Sequence, residues 1–562
     1  QETAFRCPAF SITLSPLCKR DNTSPDHSMA RSPDSRLARS SSSQTAASLD
    51  PGRLARELED FFATTPQACV LEDGETIFDF SSAKYSISGE WGKCLLHLWS
   101  PERNTVRRVV DIERKNGQLR LAVQRFGKGQ PVWLEIVGDR RGRAPAAQRQ
   151  ARLQYQRLLK RVLECNFPDW NVEELTSTAD LERSFSPVYA RGLLRRGRSA
   201  VCVFGVNDSE LQSSVDGALT FALLWFHHCR ERDPARYFVE GIKLFVPRRR
   251  SAVVHARMHY LDREAARFEL IEFDERGESL DALDLSDQGN IATRLVRCPD
   301  NENVYERFQS AIERIRVAVP ESELVVLGST DLAFRLHGLE FARARVATSP
   351  GSFQRNEEIV FGSGAHETLL TPESEPLFED LMKRLRELRR ADGDKRHALW
   401  RMQPERWLES EVKRDVSLLD ARLDPTHVYA QVPAFAASDR GMIDLLASTR
   451  EGQLAVIELK ADEDIHLPLQ GLDYWSRVKW HHEREEFQRF GYFSGKTLSP
   501  ASPLLILVSP ALHIHPATDT VLRYVSPEVD WELVAIDEHW REAVKVVFRK
   551  RARDARTARA IG

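Results

Sequence analysis

Between residues 441 and 475 the chain reads GMIDLLASTREGQLAVIELKADEDIHLPLQGLDYW, and four of its side chains are of types that do chemistry together. Asp444 stands on one expected strand, Glu458 and Lys460 on the next, and Gln470 opens an expected helix. Glu458 and Lys460 are i and i+2 on an extended segment, so both project from one face, and Ile457 and Leu459 from the other. The segment LAVIELK is apolar except at its end, which sets the two charges at the rim of a buried sheet. Two carboxylates brought together there repel each other and favour a divalent cation. Oxygen ligands select Mg²⁺, with Mn²⁺ as the second choice. Such an ion lowers the pKa of its water and stabilises charge on a phosphate. Lys460 can orient or deprotonate that water, or neutralise the transition state.

The expected helix behind this strand carries Gln470 and Tyr474 at i and i+4, on one face that can reach the carboxylates. An earlier helix over 404–422 has Pro404 near its first turn and an apolar stripe of Leu408, Val412, Val416 and Leu419. At 100° per residue Glu409 lies nearer that stripe than Glu411, which makes Glu409 the inward-facing carboxylate. Strands are expected over 428–435, 442–449, 454–460 and 504–509, with turns at Asp439-Arg-Gly and Glu451-Gly452 and a long helix over 468–487. The order is α-β-β-β-α-β. A bare Glu-x-Lys carries little weight, because Glu411-Val-Lys413 repeats it inside the earlier helix. The competing reading is an ordinary salt bridge at a strand end. The weight comes from the combination of Gly441-x-x-Asp444, a short turn, an apolar strand ending in Glu458-Leu-Lys460, and a glutamine-bearing helix.

In that combination GMIDLL…LAVIELK…LQGLDYW resembles the core of the PD-(D/E)xK nuclease superfamily, and is similar to the C-terminal domain of NucS-type mismatch endonucleases. The likeness covers roughly residues 400–550; no proline precedes Asp444. It implies a restriction endonuclease-like fold and a metal-dependent hydrolysis of DNA phosphodiesters, with RNA as a second substrate class. It implies Asp444, Glu458 and the main-chain carbonyl of Leu459 as metal ligands and Lys460 as the catalytic lysine. Gln470 corresponds to the helix glutamine of many such nucleases, and Glu409 to the carboxylate of the first helix. The alternative, from another class, is a nucleic-acid-binding or scaffold protein that keeps the fold and does not cut.

The remainder of the 562 residues predicts an α/β multidomain chain. Residues 1–50 hold eleven serines among prolines and arginines, and read as disordered. A helix over 51–62, capped by Asp50, opens a β-rich domain over 51–145, with two-residue turns at Asp73-Gly74 and Asn116-Gly117. A mixed α/β domain follows over 146–350. It includes a basic helix over 146–165, a partly parallel sheet, a helix over 305–317, a strand over 324–327 and a helix over 331–345. Its segment 189–198 reads as a basic, glycine-containing loop whose Arg191, Arg195, Arg196 and Arg198 are candidate phosphate contacts, with Tyr474 as a further nucleic-acid contact. A leucine-lined helix over 373–390 belongs to a helical linker over 351–398. The nuclease-like domain spans 399–550, and a basic tail over 551–562 follows. The run Arg549-Lys-Arg-Ala-Arg553 adds phosphate-binding candidates.

A formal charge of −3 announces no nucleic-acid binder by itself, so only local basic clusters can serve that role. The eight cysteines are scattered without a CxxC pair, the pattern of reduced thiols in a cytoplasm. No segment has the ~18–20 consecutive apolar residues of a membrane helix. Nothing in the chain specifies its oligomeric state, and a homo-oligomer is compatible with it.

Overall fold

The computed structural model describes residues 50–554, apart from short stretches at 66–67, 73–74, 81–82, 89–92, 100–103, 116–117, 125–131, 138–144, 181–184, 233, 288–292, 349–354, 363–366 and 436–439. The Ser-rich segment 1–49 and the end of the basic tail lie outside the described residues.

Helix α1 (Pro51–Thr64) starts where the Asp50 carboxylate accepts from Gly52 N, as expected of an aspartate before a first-turn proline. It covers a seven-stranded antiparallel sheet: β1 (Cys69–Glu72), β2 (Glu75–Asp79), β3 (Lys84–Ser88), β4 (Cys94–Trp99), β5 (Asn104–Lys115), β6 (Gln118–Gln124) and β7 (Val132–Val137). The strands flanking Asn116-Gly117 pair through Lys115 and Gln118, so two residues separate them. Leu58, Phe61 and Phe62 of the helix and Leu96, Leu121 and Ile136 of the sheet share one core.

Next come α2 (Pro145–Asn166), β8 (Asn171–Thr176), β9 (Tyr189–Arg196), β10 (Ser199–Val206), α3 (Gln212–Arg232), β11 (Phe238–Pro247), α4 (Ala252–His259), β12 (Arg267–Asp274) and β13 (Ser279–Leu283). The sheet runs β13-β12-β11-β10-β9-β8, with β10, β11 and β12 parallel. The expected basic loop at 189–198 is therefore a strand. Only Gly197 and Arg198 form its turn, and the alternation of Tyr189, Arg191 and Leu193 faces one side of the sheet.

Helices α5 (Asn301–Arg307) and α6 (Gln309–Ala318) then lead into β14 (Glu323–Gly328), β15 (Asp331–Leu336), β16 (Leu339–Thr348), β17 (Arg355–Phe361) and β18 (Thr368–Leu369), an antiparallel sheet in that order, and into α7 (Glu375–Leu388). Two expectations change here. The segment 331–345 is a hairpin and not a helix. Leu332, Phe334 and Leu336 alternate into the core, and His337 (φ 45°) and Gly338 (φ 72°) make the two-residue turn. The stretch 351–398 is not a linker: β17, β18 and α7 complete this unit, and Phe361, Phe378, Met382 and Leu385 fill its core.

The last unit comprises α8 (Ala398–Arg401), α9 (Pro404–Arg414), β19 (Tyr429–Phe435), β20 (Arg440–Ser448), β21 (Leu454–Leu459), α10 (Leu467–His482), α11 (Glu486–Arg489), β22 (Leu504–Pro510), α12 (Thr518–Leu522), β23 (Asp530–Ile536) and β24 (Val546–Arg551). Its sheet runs β19 to β24 in sequence order, with β21, β22 and β23 parallel. Helix α9 stops eight residues before the expected 422. Asp415 adopts extended backbone and accepts from Ser417 N at 3.0 Å, starting a separate 3₁₀ turn.

The two six-stranded sheets sandwich one helical layer. Helix α3 lies on β10 and β11, α10 on β21 and β22, α4 touches α10, and α12 touches α3. One apolar cluster runs through all of them, from Phe204 and Leu219 to Leu472, Trp475 and Leu507. This explains the sequence of α3, whose Leu219, Leu223, Trp225 and Phe226 are buried around its circumference rather than along one stripe. Helix α2 covers the outer face of the first sheet, and α9 that of the second.

Candidate metal and catalytic site

Strand β21 is central and buried at every residue, between antiparallel β20 and parallel β22. The register that pairs Leu445 with Ile457 sets Asp444 opposite Glu458. Leu459 N donates to Asp444 Oδ2 at 3.0 Å, and Lys460 Nζ donates to Glu458 Oε1 at 3.0 Å. The Lys460 main chain continues the ladder to Val508 O at 2.9 Å. Glu458 is 2% exposed and Lys460 9%. The three side chains singled out in the sequence thus converge at the end of the buried strand.

Helix α10, which carries Gln470, lies close to the sheet beside Glu458. A Cβ at Gly471 would stand 2.4 Å from Leu507 Cδ2 and 3.7 Å from Glu458 Cβ, so glycine permits the approach. Two buried oxygens, Glu458 Oε2 and Gln470 Oε1, have no hydrogen-bond partner. An orphaned oxygen on a buried carboxylate, beside a second carboxylate that is half-buried, is the donor set that a hard cation completes. Among the described residues there is no cluster of three or more His, Cys, Asp or Glu side chains arranged to hold a metal. A cation here would rest on two carboxylates, with main-chain and amide oxygens supplementing them.

The electrostatics agree with an anionic, water-poor site. Burial pushes the Asp444 carboxyl up, outweighing the Lys460 charge and the Leu459 amide that oppose it. Burial and then the Asp444 charge push Glu458 well above the usual range. Burial pulls the Lys460 ammonium down, but Glu458, Glu405 and Asp444 outweigh it and hold it well up. Burial raises the Tyr474 phenol, with Glu458 and Asp444 adding to the effect, so Tyr474 faces the pair electrostatically as the helix spacing implies.

Helix α9 brings the expected inward-facing carboxylate, Glu409, within reach of the Asp444 charge, and adds a second one. Glu409 is buried, but its Oε2 accepts from Arg406 (2.9 Å) and Gln431 (2.5 Å). Gln431 (φ 54°) interrupts β19 between Ala430 and Val432, beside the strand that bears Asp444. Glu405, one turn earlier and half exposed, is the carboxylate that faces Lys460, with 3.9 Å between Nζ and Oε1. Its i−4 spacing from Glu409 was the available signal, since both lie on one face.

Of the basic candidates, Arg191 is 4% exposed. It stacks on Phe185 and Trp225 and donates to Thr178 O at 2.8 Å, so it is a core cation and not a phosphate contact. Arg195 pairs with Glu173 at 2.7 Å, and Arg196 lies over Trp170. Arg549 and Arg551 on β24 are drawn to the buried Glu532, and Lys550 to Asp519. The basic run at the C-terminus is therefore largely neutralised within the fold.

No protein-family model, curated protein or solved structure matches this chain. No helix among the described residues is long and apolar enough to cross a membrane.

Proposed function

We propose that this protein is a metal-dependent nuclease that hydrolyses DNA phosphodiester bonds at the Asp444–Glu458–Lys460 site. The observation that carries the reading is the buried Glu458 carboxylate, set opposite the half-buried Asp444, with one oxygen orphaned and a lysine bonded to the other. A buried like-charge pair is costly, and a fold keeps one where a cation is to be held. A binding module has no use for it.

Asp444, Glu458 and the Leu459 carbonyl would hold Mg²⁺ or Mn²⁺. When bound, the ion supplies charge neutralisation on the scissile phosphate and an acidified water. The chain's own groups do the rest. The carboxylates keep Lys460 protonated, so it enters as a hydrogen-bond donor, steering the attacking water and shielding charge that builds on the phosphate. Gln470 offers an amide for positioning, and the Tyr474 hydroxyl, kept protonated by its surroundings, can donate to a phosphate oxygen. Glu409, locked by Arg406 and Gln431, braces the strand beside Asp444.

The test is cleavage of plasmid, single-stranded DNA and RNA with Mg²⁺ or Mn²⁺, by the wild type and by Lys460→Ala. Metal-dependent cutting that Lys460→Ala reduces by roughly 100-fold or more is expected. Binding of DNA without cutting on any substrate favours a non-cleaving, nucleic-acid-binding protein instead.

A further inference from the structure

The two units that share the helical layer have one topology. From α2 to β13 and from α9 to β24 the long elements follow the order α-β-β-β-α-β-α-β-β. In both sheets the strands lie in sequence order, paired antiparallel, antiparallel, parallel, parallel, antiparallel. The fourth strand of each ends in proline, Pro247 and Pro510.

The contact between the two units is reciprocal. Tyr260-Leu261-Asp262 follows α4, and Tyr524-Val525-Ser526 follows the matching α12. Asp262 N donates to Tyr524 O and Ser526 N to Tyr260 O, both at 2.8 Å, with Leu261 and Val525 bridged antiparallel between them. Tyr260 packs edge-on against Trp475 of α10, and Tyr524 packs against Phe226 of α3. Residue i meeting j while the counterpart of j meets the counterpart of i is the signature of a two-fold, isologous contact. Here both halves belong to one chain.

Register then identifies what stands at the second copy of the site. Phe204 pairs with Leu244, three residues before Pro247, and Glu458 pairs with Leu507, three before Pro510. Phe204 therefore occupies the place of Glu458, and Val206 that of Lys460. Arg191 lies opposite Phe204, where the other copy has Asp444 opposite Glu458. None of the three can hold a cation or support a water. The guanidinium of Arg191 is a buried cation stacked on Phe185 and Trp225 and bonded to Thr178 O. A Cβ at Gly205, the counterpart of Leu459, would collide with the Tyr155 hydroxyl of α2 at 2.4 Å. The first lobe has kept the fold and the interface and replaced the site by core packing.

We infer that one chain is a complete two-lobed catalytic unit with a single active centre, and that it cuts one strand of a duplex per engagement. This rests on the nuclease reading of the C-terminal site. An enzyme assembled from two identical subunits presents two centres, one for each strand. In this chain the position of the second subunit is covalently filled by a lobe whose Arg191, Phe204 and Val206 do no chemistry. The helical faces that would recruit another copy are already buried against each other.

The test combines a time course with a mass. Supercoiled plasmid is incubated with the full-length protein and Mg²⁺, and the same sample is measured by light scattering. A monomer of 64.2 kDa is expected. Nicked circles should accumulate to most of the substrate before linear DNA appears, and dilution with Lys460→Ala chains should lower the rate in simple proportion to the wild-type fraction. Linear DNA formed at the initial rate without a nicked intermediate, a stable dimer, or a rate that falls with the square of the wild-type fraction would each overturn the inference while leaving the nuclease reading intact. A monomer that cuts nothing overturns the nuclease reading, and the single-cut inference with it.

Discussion

At the scale of single residues, the site trades stability for charge. Asp444 and Glu458 are both held above their ordinary carboxylate values, chiefly by burial. A carboxyl whose folded-state pKa is raised contributes stability that is present below its unfolded value and lost as pH rises through the folded one. Without metal, the melting temperature should therefore fall as pH rises from mildly acidic toward the raised values. Mg²⁺ must displace the same protons, so the Mg²⁺-induced rise in melting temperature should grow with pH over that range. Differential scanning fluorimetry at fixed ionic strength, with and without Mg²⁺, measures both trends; a Mg²⁺ shift that shrinks with pH would contradict the assignment. Glu458→Gln removes the charge and keeps the shape. It should raise the metal-free melting temperature by roughly 2–4 °C, abolish the Mg²⁺ shift, and abolish cleavage. A variant that is less stable without metal than the wild type would show that Glu458 is a structural group.

At the scale of elements, the site depends on two close approaches. Helix α10 rests on β21 and β22 through Gly471, and Leu507, whose methyl it would strike, is fully buried and has no room to turn. Gly471→Ala should cost about 1–3 kcal/mol by overpacking. By shifting α10, and with it Gln470 and Tyr474, relative to Glu458 it should also lower kcat by roughly 100-fold. Chemical denaturation and steady-state kinetics read the two effects separately. Helix α9 is braced from outside by the unit built on β14–β18. A Cβ at Gly338 would meet Arg406 O at 2.0 Å, and His337 stacks on Trp407 at 4.9 Å. Arg389, 1% exposed, donates to Leu336 O, His337 O, Leu399 O and Met402 O while lying over Trp407. Arg389→Leu strands those carbonyls and should cost about 3 kcal/mol or more. Because Glu405 and Glu409 ride on α9, cleavage should fall beyond what the lost folded fraction explains.

At the scale of the whole molecule, cores and sequence units do not coincide. Residues 51–137 enclose their own core, with Leu58, Leu96 and Leu121 fully buried. The C-terminal unit does not. Leu472, Trp475 and Leu507 share a cluster with Leu219, Phe226 and Leu244 of the preceding lobe. A fragment of residues 398–554 expressed alone should aggregate, because it exposes that apolar layer. Co-expression with residues 145–300 should restore solubility, as read by gel filtration of the two fragments together. A soluble, monomeric, Mg²⁺-binding fragment of 398–554 would show that the shared layer is dispensable.

The convergence of Asp444, Glu458 and Lys460 was legible in the sequence because it is local. A strand of period two places Glu458 and Lys460 on one face, and short turn signals bring Asp444 alongside, so spacing alone predicts their convergence. Other features depended on partners distant in sequence. The segment 331–345 supports a helical spacing as well as an alternating one, and the turn at His337-Gly338 and pairing with β14 and β17 decide for a hairpin. Glu405 faces Lys460 while Arg406 and Gln431 bond the inward-facing Glu409, and those partners come from the folded chain. Arg191, suggestive of a phosphate contact in a run of four arginines, is a core residue because Phe185 and Trp225 enclose it. The repeat of the fold was invisible in the sequence, since Arg191, Phe204 and Val206 share no chemistry with Asp444, Glu458 and Lys460. Side-chain identity determined where a reaction can occur. Hydrogen-bond register and the burial of one helical layer between two sheets, which no local pattern encodes, decided that the matching place in the first lobe holds Arg191, Phe204 and Val206.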